Sequence, residues 1–201
     1  MTITYQVKNS IYVNMTNKCP CACTFCLRNN GDGVYGSDSL WLEREPGVEE
    51  VINDIDKWDV NAYDEVVFCG YGEPTERLDD LLEVAAHIKA NYKTPTRINT
   101  NGLSDLIWGE PTAVKMKGLI DTLSISLNTN DPKEYLDVVR PCFGEESYQA
   151  MLDFTKSAKP YVPNIVMTIV GEPVTTPEVQ ADCKRITDEL GVKLRIRPYE
   201  E

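Results

Sequence analysis

Short β-branched and apolar runs recur along the chain, separated by segments with helical periodicity. SIYVNMT covers Ser10 to Thr16, and EVVFCG covers Glu65 to Gly70. TRINTN at Thr96 to Asn101, TLSISLN at Thr122 to Asn128, NIVMTIV at Asn164 to Val170 and KLRIRPY at Lys193 to Tyr199 complete the series. These compositions and their bounding turn residues predict strands. Between them, Pro46 to Trp58 puts Val48, Val51, Ile52 and Ile55 on one helical face, with Pro46 suited to a first turn. Leu78 to Tyr92 repeats the pattern through Leu81, Leu82, Ala85 and Ile88, and Pro111 to Leu119 reads as a short helix. Asp131-Pro132 opens a helix reaching Val139, and Tyr148 to Lys159 follows a break at Pro141. Thr176, Pro177 and Gly191 supply a cap, a first-turn proline and a terminating glycine for the last helix.

One strand followed by five such returns predicts a parallel sheet with helices outside. A closed eight-stranded barrel takes about 250 residues. A chain of 201 residues with about six strands fits an open, partial parallel β/α barrel. A flat doubly wound sheet is the alternative. With no repeat, low-complexity tract or linker, residues 1–201 are expected to form one domain. Parallel sheets place ligand sites at the carboxyl ends of their strands. There the sequence puts NKCPCACTFCLRNN, GYGEP, NTNG, SLNTN and VGEP, one after each of the first five runs.

Composition narrows the class. Hydrophobic residues make up 42% and charged residues 26%, enough for a core and ordinary for a globular protein. The formal net charge of −12 argues against a nucleic-acid binder, which needs a basic face. No apolar run approaches the ~20 residues of a membrane span. The first ten residues lack a basic patch followed by an apolar stretch, so a cytoplasmic location without a membrane partner is expected. Seven cysteines in such a chain point to metal rather than disulfides.

Four of those cysteines, Cys19, Cys21, Cys23 and Cys26, crowd one loop. Cys19, Cys23 and Cys26 have the spacing C-x3-C-x2-C, with Phe25 just before the last. Three thiolates can hold three irons of a [4Fe–4S] cluster and leave the fourth iron open. Zinc sites instead use two separated pairs, or cysteine with histidine, and the one histidine, His87, lies in a helical segment far along the chain. A ferredoxin needs a fourth thiolate, and the spacing of Cys21 is wrong for the ferredoxin runs. Cys21 is therefore the spare, a small loop residue. NNGDG is no calcium loop, because Arg28 and Ser39 would fall at its first and last ligand positions.

The cysteine motif, its place after the first strand and the strand–helix alternation resemble the radical S-adenosylmethionine (radical SAM) superfamily over nearly the whole chain. The resemblance implies a [4Fe–4S] cluster whose open iron is chelated by the amino and carboxylate groups of S-adenosylmethionine (AdoMet). It implies reductive cleavage of AdoMet to a 5′-deoxyadenosyl radical that abstracts hydrogen from a substrate. An electron donor such as flavodoxin or ferredoxin is implied as a partner. GYGEP looks like the superfamily's GGE motif, whose acceptors meet the methionine ammonium. This assigns Gly70, Tyr71, Gly72, Glu73 and Pro74 to the cofactor site, with Tyr71 standing where many members have glycine. Phe25, Thr100 and Asn101 join them by position. Period-two alternation puts Ser124, Ser126 and Asn128 on one side of their strand. The resemblance gives Ser126 and Asn128 to the cofactor's ribose and carboxylate, while Ser124 is expected to bond within the core. Val170 stands where relatives wrap adenine. Arg140-Pro141 resembles a pair that follows strand four in relatives, with a surface arginine as the other reading. Arg195 and Arg197 share one side of the last strand and face either an anionic group inside the barrel or solvent.

FCGYGEPTER and CLRNN…GSDSLWL most resemble the small TatD-associated radical SAM proteins, which implies no substrate, small molecule or protein. An activase installing a glycyl radical on a partner protein, a relative of the deazapurine makers and a non-enzymatic iron–sulfur electron carrier are the other readings. Leu27 to Glu45 lacks periodicity and is long for a connection, so it is expected to cover the site, with Arg28, Tyr35 and Trp41 facing substrate. A disordered surface loop is the alternative for it.

Overall fold

The computed structural model describes residues 1–29, 31–33 and 36–199. Among them one sheet is built from β1 (Thr4–Val7), β2 (Ser10–Val13), β3 (Glu65–Phe68), β4 (Thr96–Thr100), β5 (Thr122–Ser126), β6 (Asn164–Val170) and β7 (Lys193–Arg197). The strands are hydrogen-bonded in sequence order. From β2 to β7 every pairing is parallel, and β1 runs antiparallel to β2. A doubly wound sheet reverses direction at a switch point. This one never does. It also curls, because Tyr5 and Val7 on one edge line a cavity together with Arg195 and Arg197 on the other. The result is an open parallel β/α barrel with one strand more than the sequence pattern predicts. That extra strand, TYQV, is four residues long and joins β2 through the two-residue turn Lys8–Asn9, with Lys8 at φ 53°. Its brevity and its central glutamine hide it from a periodicity reading.

The helices are α1 (Val48–Ile55), α2 (Leu78–Asn91), α3 (Ser104–Trp108), α4 (Pro132–Val139), α5 (Glu146–Ala158) and α6 (Pro177–Leu190). Thr176 and Asp131 cap α6 and α4 by accepting from Val179 N–H and Glu134 N–H, and Gly191 at φ 67° ends α6. Where a helix from Pro111 to Leu119 was expected, there is a 3₁₀ turn, Ala113–Met116; the α-helical turn lies earlier, in α3. Gly109 at φ 67° stops α3, and Pro111 prevents the two from merging. Among the described residues no helix is long and apolar enough to cross a membrane.

The pleat sorts the strands by chemistry. Ile11, Val13, Val66, Phe68, Ile98, Leu123, Ile125, Met167 and Ile169 are buried in one core with Leu81, Ile88, Met151 and Phe154 of the helices. Residues of the other parity, including Tyr12, Arg97, Asn99, Ser124, Ser126, Thr168, Arg195 and Arg197, line internal cavities. A parallel sheet covered on both faces would read as continuously apolar. Polar residues on the inner face therefore mark a wet barrel interior.

Tyr135 on α4 is fully buried, edge-on to Tyr148 with ring centroids 5.4 Å apart, and its hydroxyl has no hydrogen-bond partner. Tyr135→Phe removes that orphan while keeping the ring. It is expected to raise unfolding stability by about 1 kcal/mol, roughly 2–4 °C in Tm for a chain of this size. A lower melting temperature would show that the hydroxyl is engaged.

Candidate functional site

The cysteine loop leaves β2 and is pinned to the end of α4. Ala22 N–H donates to the Val139 carbonyl at 3.1 Å, and Thr24 N–H donates to that of Val138 at 2.9 Å. Cys142 N–H donates to the Pro20 carbonyl at 2.8 Å, and Cys21 bridges Pro141. Arg140 makes this junction with its backbone, at φ 51°, while its exposed side chain bonds back to the Asp137 carbonyl at 3.2 Å. It acts as a surface arginine at a turn and is absent from the cavity wall.

Cys19, Cys23 and Cys26 line a cavity of about 240 Å³ at the carboxyl ends of the strands, with Phe25, Leu27 and Arg28 beside them. Cys21 is not on that wall. It is 4% exposed and packed into the main core. Asn101 Nδ2 reaches its Sγ at 3.6 Å, and its thiol hydrogen-bonds toward Cys19 and Cys23. Cys21 thus fills a core position under the loop, a role the expectation of a bland loop residue missed. Its thiol lowers the pKa of Cys19 and Cys23, whereas burial raises that of Cys26. Among the described residues no three histidine, cysteine or acidic side chains converge to hold a single metal ion. A four-iron cluster takes each thiolate on a different iron, so its ligands ring a space rather than meet at a point. Three soft thiols around one cavity fit such a cluster, and the Cys21 thiol, close to Cys19 and Cys23 but off the cavity wall, leaves one iron without a wall cysteine.

GYGEP forms the next wall. Cβ atoms on Gly70 and Gly72 would lie 2.0 Å from Asn14 Oδ1 and 2.3 Å from the Thr16 carbonyl oxygen. These glycines let the segment lie against the loop that leads to the cysteines, and Glu73 N–H donates to the Lys18 carbonyl there at 2.7 Å. Glu73 is 4% exposed. Its Oε1 accepts from Thr75 N–H (3.2 Å), Thr75 Oγ1 (2.7 Å) and Thr100 Oγ1 (2.7 Å), and its Oε2 accepts from Asn101 N–H (2.8 Å). Burial holds its carboxyl above the ordinary glutamate range, against the lowering effect of those donors. Oε2 has one donor and keeps capacity for another. Arg77, which the sequence reading passed over, braces the segment by donating to the carbonyls of Met15 (2.9 Å) and Pro46 (2.7 Å).

The strand ends are brought together on this cavity, but not all as expected. Thr100, Asn101, Ser126 and Val170 line it with Gly70, Tyr71, Gly72 and Glu73. Ser124, expected within the core, lines it too. Pro74 and Asn128 do not. Pro74 is buried and starts a 3₁₀ turn. Asn128 sits at φ 67°, which ends the extended alternation after β5, and its buried Oδ1 has no partner. Cys69 and Asn99, missed in the sequence, both reach the wall and hydrogen-bond to each other. Their signal was parity: Asn99 alternates with Arg97 in TRINT.

Several described residues between Leu27 and Glu45 are anchored to the body of the barrel. Leu40 is 1% exposed, and its carbonyl accepts from Asn14 Nδ2 at 2.7 Å. Asn17 exchanges two hydrogen bonds with Leu42, at 2.8 and 3.0 Å. Tyr71 donates to the Gly31 carbonyl at 2.7 Å and meets the Trp41 ring edge-on at 5.0 Å. Leu27 and Arg28 line the cavity, although Arg28 also donates to the Cys21 carbonyl at 3.1 Å. Tyr35 lies outside the described residues.

The family model of the radical SAM superfamily matches residues 13–186. No curated protein matches the chain by sequence. A radical SAM methyltransferase from Sphaerobacter thermophilus superposes with a TM-score of 0.64 at 14% identity, over 97% of this chain and 57% of that one. Native anSMEcpe with bound AdoMet gives 0.65 at 19% identity, over 94% and 51%. The FeFe-hydrogenase maturase HydG from Carboxydothermus hydrogenoformans gives 0.65 at 15%, over 96% and 44%. At these identities the likeness concerns the fold alone, and the chain spans roughly half the length of these structures.

Proposed function

The chain belongs to the radical SAM superfamily, and on that premise we propose that residues 1–201 form a core domain that cleaves AdoMet reductively to abstract hydrogen from a substrate. The family's cofactors are a [4Fe–4S] cluster and AdoMet. The observation that carries the reading is the sorting of the cysteine loop. Cys19, Cys23 and Cys26 share one cavity with Gly70 to Glu73 and the polar strand ends, while Cys21 lies off that wall, packed in the core beneath Cys19 and Cys23.

In this reading the three cavity thiolates hold three irons. Glu73 Oε2 and the backbone of Gly70 to Gly72 take the ammonium of AdoMet, and Ser124, Ser126, Thr100 and Asn101 supply polar contacts to its ribose and carboxylate. Phe25 and Val170 offer apolar flanks for the adenine. When bound, the cluster and the sulfonium supply one-electron bond cleavage that ends in hydrogen abstraction. The chain itself positions the reactants and excludes water, and the segment that carries Leu27, Arg28 and the anchored Leu40 and Leu42 serves as the cover. Leu40→Ala is expected to cost about 2–5 kcal/mol of local packing and to speed amide exchange between residues 36 and 45 while iron content stays unchanged. Unaltered exchange would remove Leu40 from the anchor.

Within the superfamily we place the chain with the TatD-associated proteins, in the cytoplasm, with a flavodoxin or ferredoxin as electron donor. The rival is an electron carrier that shuttles one electron without consuming AdoMet. Reduced, reconstituted protein is expected to form 5′-deoxyadenosine and methionine slowly and in equal amounts without substrate. A cluster that is reduced and reoxidised while AdoMet stays intact supports the carrier.

A further inference from the structure

Behind the cysteine cavity lies a second one of about 460 Å³, lined by Tyr12, Glu65, Arg97, Asn99, Arg195 and Arg197 among others. The two share Cys69, Asn99, Arg195 and Arg197 as walls, so they adjoin. Its charge is opposite to that of the protein. Lys8 and three arginines face one carboxylate, Glu65, in a chain of formal net charge −12.

Two of the arginines are incompletely paired. Arg97 is 6% exposed; one terminal nitrogen pairs with Glu65 at 2.7 Å and reaches the Tyr12 hydroxyl at 3.4 Å, but its buried Nε has no partner. Arg197 Nε is likewise buried and unpaired, and so is the acceptor Asn99 Oδ1. Arg195 is exposed on the edge strand, and partial desolvation followed by the Arg97 and Arg197 charges pulls its pKa down. Buried donors without acceptors are costly, and more so when charged. A planar guanidinium with an idle N–H edge is matched by a carboxylate or phosphate.

We propose that this inner chamber binds the anionic end of the substrate, a carboxylate or phosphate group, with Arg97 and Arg195 as its clamp and Arg197 at the junction with the cofactor cavity. Hydrogen abstraction would then occur at the other end of the molecule, which reaches past Asn99 and Cys69. The inference rests on the enzyme reading above, since it gives that site its substrate class.

Calorimetric titration of the reconstituted, AdoMet-saturated protein tests it, with succinate, inorganic phosphate and neutral glycerol as probes. Saturable binding of succinate or phosphate is expected, with none for glycerol, and the preferred anion identifies the group. Arg195→Ala, on an edge strand where truncation leaves the core intact, is expected to weaken binding roughly tenfold or more. Arg97→Lys keeps the charge without the planar fork and is expected to weaken it several-fold. No saturable binding, or equal affinity in Arg195→Ala at an unchanged melting temperature, overturns the proposal. Anion binding that AdoMet abolishes also overturns it, because the arginines would then serve the cofactor's own carboxylate. AdoMet cleavage is scored in parallel samples of the same protein and anion reduced with dithionite. Cleavage without anion binding sinks the chamber alone, and anion binding without cleavage sinks the enzyme reading alone.

Discussion

Replacing Cys19, Cys23 or Cys26 with alanine is expected to remove most of the iron from anaerobically reconstituted protein, while Cys21→Ala keeps it. The three cysteines line one cavity, and Cys21 lies 4% exposed beneath them. A cluster with three protein thiolates loses a third of its protein ligands with each substitution, and the one other loop thiol, Cys21, is held off the cavity wall by its packing in the core. Cys21→Ala should instead cost packing, since its thiol sits among core residues and against Asn101 Nδ2. Its melting temperature should fall while its iron content and reduced-state paramagnetic signal persist. Cys69→Ala should also keep iron, because that thiol belongs to the strand-end wall and is held by Asn99. Iron lost in Cys21→Ala but kept in Cys19→Ala would reverse the assignment.

Glu73→Ala should be the most damaging change outside the cysteines. Four hydrogen bonds from Thr75, Thr100 and Asn101 end on its carboxylate, joining the GYGEP turn to the end of β4. Truncation strands buried donors worth about 1–3 kcal/mol each. Relief of the cost of burying a carboxylate offsets part of this, leaving a net loss on the order of 3 kcal/mol. Glu73→Gln keeps the volume and one acceptor oxygen, so it should fold and report on the site. If Oε2 meets the AdoMet ammonium, folded Glu73→Gln binds AdoMet roughly tenfold or more weakly, the worth of one charge-assisted hydrogen bond. Unchanged affinity in a folded variant would confine Glu73 to a structural role.

The sheet and the strand ends that line the cavity were legible because two signals agree. Strand-forming runs alternate with helical ones, and turn-forming, polar stretches recur where parallel strands end. The apolar parity of each strand, such as Ile98 in TRINT or Ile125 in SIS, fixed which side meets the helices. Parity failed where the backbone left the extended region. Counting in twos put Asn128 on the side of Ser124 and Ser126, where the resemblance gave it to the cofactor, but a left-handed φ of 67° ends the count. Ser124 was expected to bond within the core because a hydroxyl in a strand usually does; here the barrel interior is a cavity, which only the closure of the sheet reveals. Gly70 and Gly72 were assigned to the cofactor site by resemblance, and the Cβ clashes with Asn14 and Thr16 show that chain packing also demands them. Asn14, Arg77 and Tyr135 carried no local pattern. Their importance depends on carbonyls and rings brought near by residues tens of positions away.

The central claim is that three cavity thiols leave one iron of the cluster open to AdoMet. The direct measurement is the paramagnetic spectrum of the reduced, reconstituted wild-type protein recorded with and without AdoMet. A clear change in the cluster signal on adding AdoMet, lost in Cys19→Ala, Cys23→Ala and Cys26→Ala because their cluster is lost, is the predicted result. A well-formed cluster whose signal AdoMet leaves unaltered at saturating concentration would contradict it.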